Sequence, residues 1–126
     1  MATWTNDENK WGNTKFSITK TASADQSNQQ VLAGVTGKSI YITDVIVFQD
    51  TPSAGGTKIT LHDDTGNLGS GAIVAAIFRL SSLTVADFQS HSFNVPIQIA
   101  AGKDLDWTSD TNGTTIHGVT VNGYIQ

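Results

Sequence analysis

One ten-residue stretch sets the terms for everything around it. Read with a period of two, residues 39–48 (SIYITDVIVF) place Ile40, Ile42, Ile46 and Phe48 on one face and Tyr41, Thr43, Val45 and Val47 on the other. A strand that is apolar on both faces must be covered on both, so it belongs inside a sheet and beneath a second layer. A chain containing it needs further strands to supply that cover.

The remaining sequence provides them. Residues 57–62 alternate, with Ile59 and Leu61 inward. Residues 72–80 form an apolar nine-mer; flanking Gly and the β-branched Ile73, Val74 and Ile77 favour strand over helix. Residues 91–99 set Phe93, Val95, Ile97 and Ile99 on one face. Pro96, on the other, cannot donate to a ladder, which predicts an edge strand. Residues 103–108 point Leu105 and Trp107 inward, and residues 116–125 alternate Val119, Val121, Gly123 and Ile125 against Thr120, Asn122 and Tyr124. Phe16 and Ile18 mark a short strand near the N-terminus, while residues 83–88 are ambiguous. Turn chemistry separates these runs at residues 50–56 (DTPSAGG), 63–71 (DDTGNLGSG) and 110–113 (DTNG).

Seven or eight short strands with such turns between them predict an all-β fold of two packed antiparallel sheets, a β-sandwich of the jelly-roll kind. No fixed-period repeat points to a solenoid or propeller. Residues 29–126 are expected to form the sandwich domain, with an extended N-terminal arm and connector over residues 1–28. Residues 21–30 hold no large apolar side chain until the sandwich begins and read as a solvated connector.

Composition narrows the function classes. Ser, Thr, Asn and Gln make up about a third of the chain, whereas Glu and Arg occur once each, at Glu8 and Arg79. Helical bundles need the opposite. Seven basic against eleven acidic residues give a net charge of −4, too few cations for a phosphate-binding face, so no nucleic-acid partner is expected. With no cysteine, disulfides, thiolate metal sites and a cysteine nucleophile are excluded. No run of 18 apolar residues exists to span a membrane as a helix, and residues 1–10 lack the apolar stretch of a secretory signal.

Several motifs invite chemistry and are better read as structure. Gly37-Lys38-Ser39 resembles the end of a phosphate loop, but Leu32 stands where the first Gly should be and a strand follows. Asp104, Asp106 and Asp110, near Asn112 and Gly113, are oxygen-rich without the calcium-loop spacing; the first two read as the solvated face of a strand. His62, His91 and His117 lie far apart in sequence, and no serine sits in a G-x-S-x-G elbow. No catalytic, cofactor or metal residue is therefore assigned, and enzymatic function is not expected. Trp107 beside Leu105 reads as core, although with Tyr124 it could instead form a sugar-stacking platform.

Trp4 and Trp11 are different. Large aromatics in a polar segment either fold back or dock on a partner, for which Trp is a preferred anchor. Residues 1–20 carry Lys10, Lys15 and Lys20 against Asp7 and Glu8, net +1 in an otherwise acidic chain. Trp4, Lys10, Trp11 and Lys15 are the candidate partner-binding residues.

Three blocks carry a family resemblance: VLAGVTGKSIYI at residues 31–42, VPIQIAAGKDL at 95–105 and VTVNGYI at 119–125. Their order resembles small β-sandwich proteins of tailed-bacteriophage virions, which occur as capsid decoration (cement) proteins and as tail or fibre modules. The resemblance covers about residues 30–126 and transfers no functional residue. It implies a non-enzymatic protein on the capsid exterior, made in the host cytoplasm. Its partners would be the major capsid protein and further copies of itself in a homotrimer. The alternative it implies is a tail or baseplate module that binds a host-surface glycan through the turn loops.

Overall fold

A computed structural model describes residues 14–50, 56–64, 73–80, 87–111 and 116–126. They form eight strands: β1 (Thr14–Ala22), β2 (Gln26–Leu32), β3 (Ile40–Gln49), β4 (Thr57–Asp64), β5 (Ile73–Leu80), β6 (Asp87–Ile99), β7 (Asp104–Asp110) and β8 (His117–Ile125). Sheet A has the order β1-β8-β3-β6 and sheet B the order β2-β7-β4-β5. Within them β1 pairs with β8, β2 with β7, β3 with β6 and β4 with β5, all antiparallel. The chain is thus one long hairpin of strand pairs, folded over so that successive pairs alternate between sheets. That nesting is a jelly roll, and the expected fold class holds.

Each sheet contributes one apolar face to the core. Ile40, Ile42, Val45, Val47, Val119 and Val121 of sheet A meet Ile59, Leu61, Leu105 and Trp107 of sheet B, all buried. The strand expected to be central, β3, lies between β8 and β6. β6 is an edge strand, as Pro96 requires, and Trp107 is core, 2 % exposed.

Strict alternation fails in β3. The register with β8 passes from Ile42↔Gly123 to Asp44↔Asn122, leaving Thr43 as an extra residue. This bulge reverses the parity of everything after it. Ile40 and Ile42 therefore share the inner face with Val45 and Val47, while Ile46 and Phe48 join Tyr41 on the outer face. On the β6 side the partners step from Ile97 to Ser92, so residues 93–96 stand against the single Thr43. Val95, expected inward, lies in that excursion and is 81 % exposed.

The expected connector is also corrected. Thr21 and Ala22 complete β1, and Gln26–Leu32 is β2, an edge strand on β7. Only its end is apolar, with Val31 buried in the core and Leu32 against it; the rest of β2 is held by polar groups. The Gln26 amide donates to Ser109 Oγ (3.0 Å), and the Asn28 amide donates to Thr108 Oγ1 (3.0 Å). Asn28 has φ 44°, a left-handed conformation that Asn tolerates better than most residues, at a register irregularity between Gln26 and Gln29.

Candidate docking surface

The bulge in β3 gives the outer face of sheet A its character. Its side chains fall in rows across the four strands. Lys15, Tyr124, Tyr41 and Gln98 form the row near the start of β1, and Thr21, Gly118, Phe48 and Phe88 form the row at its end. Between them run Ser17, Asn122, Asp44 and Ser92, then Thr19, Thr120, Ile46 and Ser90. Small polar residues and Ile46 thus occupy the middle, with aromatic rings at both ends.

The middle is internally bonded. Thr19 Oγ1 and Thr120 Oγ1 are 2.8 Å apart, and Ser92 Oγ donates to Asp44 Oδ1 (2.7 Å). At one end the rings of Tyr41 and Tyr124 stack, with centroids 5.0 Å apart and planes at 14°. At the other, Phe48, Phe88 and Ile116 line an open depression of about 430 Å³, rimmed by Asp50 and Asp87. Phe88 is 68 % exposed and Ile116 46 %. Gly118 makes room for the Phe48 ring, because a Cβ there would stand 2.6 Å from Phe48 Cζ and would also meet the Lys20 carbonyl.

Of the four candidate residues, Trp4, Lys10 and Trp11 lie outside the described residues. Lys15 is exposed on β1 and pairs in register with Tyr124, beside the tyrosine stack. Pattern reading found neither aromatic end of this face. Tyr41 and Phe48 are seven residues apart, and only the bulge puts them on one side.

Sheet B has a polar outer face of another kind. Asp64 faces Asp104 and His62 faces Asp106 across β4 and β7. Asp104 is well bonded, accepting from the Gly34 amide (2.6 Å) and Gln30 Nε2 (3.2 Å). Asp106, expected to be solvated, is only 2 % exposed, and its Oδ1 has no hydrogen-bond partner among the described residues. Burial first, then the carboxylates of Asp64 and Asp104, push its pKa up to about 6. Asp110 ends the strand that Asp104 begins, so the three aspartates do not converge. Among the described residues no group of three His, Asp or Glu side chains is arranged to hold a metal ion.

The three histidines have separate surroundings. His62 Nε2 lies 3.1 Å from Thr108 Oγ1; burial lowers its pKa, opposed by the charge of Asp64. His91 packs against Phe78 with ring centroids 5.1 Å apart. His117 is buried beside Trp107, its Nε2 2.7 Å from Ser109 Oγ. The lysine of the loop-like motif sits in a plain turn: the Lys38 amide donates to the Val35 carbonyl (3.0 Å) and the Lys38 carbonyl accepts from the Gly102 amide (2.9 Å).

No protein-family model and no curated protein matches the chain. Among solved structures it is similar to the crystal structure of PirA, at 10 % identity over 88 % of this chain and 92 % of that one, TM-score 0.36. A cryo-EM structure of the virus-like particle of giant freshwater prawn Macrobrachium rosenbergii extra small virus matches at 13 % identity over 90 % and 79 %, TM-score 0.34. The infectious bursal disease virus Gx strain structure matches at 14 % identity over 90 % of this chain and 32 % of that chain, TM-score 0.43. Likeness at this level transfers no role to this chain.

Proposed function

We propose that this chain is a non-enzymatic structural protein of a virion, a decoration protein that binds an assembled phage capsid from outside. The observation that supports this best is the place of β1. It is an edge strand of sheet A, joined along its whole length to β8, and it directly follows the segment that carries Trp4, Lys10 and Trp11. Whatever that segment grips is thereby tied into the sandwich. The resemblance of residues 30–126 to phage virion sandwiches supports the same reading.

In this reading the arm contacts the major capsid protein, Lys15 adds a cation at its root, and copies associate as a homotrimer. Many weak sites on one shell would then act together. The test mixes bare shells with the full chain and with a chain lacking residues 1–13, a cut that spares β1. The full chain should decorate the shells, and the truncated chain should fold yet remain free. Equal decoration by both would overturn the arm's role, and no decoration by either would overturn the capsid reading.

A glycan-binding tail module is the second reading. Its support moves from Trp107, which is core, to the exposed Phe88 beside Asp50 and Asp87. Binding of defined host-surface glycans that is lost in Phe88→Ala would favour it over decoration.

A further inference from the structure

Among the described residues the sandwich has four edge strands, and three of them are spoiled as templates for a further strand. β6 carries Pro96 and the excursion of residues 93–96. β2 has the left-handed Asn28 and two breaks in its register with β7. β5 slips against β4 between Leu61 and His62, leaving Ala75 as an extra residue, and its Arg79 carbonyl accepts from the Gln89 side chain. β1 differs from all three. Its nine residues pair with β8 without a break and include no Gly, Pro or left-handed residue. No described strand pairs with its other flank, so every second residue turns its N–H and C=O away from β8. We propose that this flank of β1 takes an added antiparallel strand from another protein, an extended segment with a carboxylate at each end and apolar residues between.

The side chains of β1 set that chemistry. Thr14, Phe16, Ile18, Lys20 and Ala22 share the face toward the core, and Phe16, Ile18 and Ala22 pack against it while only half-buried. Apolar residues opposite Phe16 and Ile18 would complete their burial. Lys15 stands on the outer face and Lys20 on the inner one. Neither β1 nor β8 contains an acidic residue, so in a chain of net charge −4 this edge is locally cationic. Opposite charges across a strand pair stabilise it and like charges oppose it.

The same lysines disfavour a second copy as the occupant. Joining β1 to β1 would gather four lysines and no carboxylate on one ribbon. Antiparallel order follows the rest of the sandwich, whose pairs are all antiparallel, the more stable arrangement per residue. Read opposite Lys20, Thr19, Ile18, Ser17, Phe16 and Lys15 in turn, the added strand runs acidic, any, apolar, any, apolar, acidic. Backbone bonds would supply attachment and these positions the specificity. The inference concerns the sandwich itself and does not rest on the capsid reading.

Two peptides test it on the full chain: TDTVTVET, which fits this pattern, and its charge-reversed counterpart TKTVTVKT. Amide NMR titration reads affinity, and hydrogen exchange reads place. The acidic peptide should bind at least tenfold more tightly and protect amides of Thr14–Ala22 above those of β2, β5 and β6. Lys15→Glu combined with Lys20→Glu should reverse the preference, which general stickiness or partial unfolding would not do. Equal affinity for the two peptides, no binding of either at millimolar concentration, or protection of another edge would overturn the proposal. So would pairing of the chain with itself along β1. Shell binding is scored separately: decoration by a chain that ignores the acidic peptide defeats this inference alone, and peptide binding without decoration defeats the capsid reading alone.

Discussion

Thr108 and Asn28 bond to each other twice. The Asn28 amide donates to Thr108 Oγ1 (3.0 Å), and the Thr108 hydroxyl donates to Asn28 Oδ1 (2.9 Å). With its proton committed to Asn28, Thr108 Oγ1 can only accept from His62 Nε2 at 3.1 Å. That assigns the His62 proton to Nε2 and leaves the buried Nδ1 as the bare acceptor, in keeping with a half-buried ring whose pKa burial lowers. One hydroxyl thus joins β2, β7 and β4.

Thr108→Val keeps the shape and the strand preference but removes these bonds. It should destabilise the protein by about 1–3 kcal/mol. Amides of Gln26–Leu32 should lose hydrogen-exchange protection before those of β3. Chemical denaturation and exchange mass spectrometry check both.

Asp106 should respond to pH in a defined direction. Its folded pKa, about 6, lies above the ordinary 3.8. The folded state therefore holds the proton more tightly. The cost of this carboxyl is absent below the ordinary value, grows as pH rises between the two, and is complete above the folded value. Asp106→Asn should stabilise the protein by about 1–3 kcal/mol at neutral pH and make little difference near about pH 4. Denaturant midpoints of both proteins at the two pH values measure this.

Gly118 cannot carry a larger side chain without displacing the Lys20 carbonyl or the Phe48 ring. Gly118→Val should cost about 1–3 kcal/mol. It should also push Phe48 out of the depression, visible as shifted aromatic resonances of Phe48 and Phe88.

Trp107 should report the core by itself. In the double variant Trp4→Phe, Trp11→Phe the remaining emission should be blue-shifted and resist acrylamide quenching until the fold is lost, because Trp107 is 2 % exposed. A red-shifted, readily quenched signal from the native protein would contradict the packing of β7.

Much of the architecture is written in local pattern. Two apolar faces put β3 inside its sheet, Pro96 put β6 at an edge, and alternation around Val119 and Val121 defined β8. What escaped has a common cause, since it depends on partners distant in sequence. β2 is apolar only at Val31 and Leu32, and the side chains that bond its polar part are Thr108, Ser109 and Asp104, about 74 to 83 residues away. The bulge at Thr43 is a matter of register between strands, and no single-strand pattern reveals it. Asp106 was read from its own strand as solvated, while its burial comes from the strands on either side. The aromatic ends of sheet A follow from the bulge and were hidden for the same reason.

The nested strand pairs also decide how the molecule bears load. The outermost pair, β1 with β8, runs through nine residue pairs from Thr14↔Ile125 to Ala22↔His117. A pull on the N-terminal segment along the strand axis strains these pairs together, in shear; peeling would break them one after another. The segment is thus moored where resistances add, and the first strand to be stretched is locked along one flank to β8, some hundred residues away in sequence.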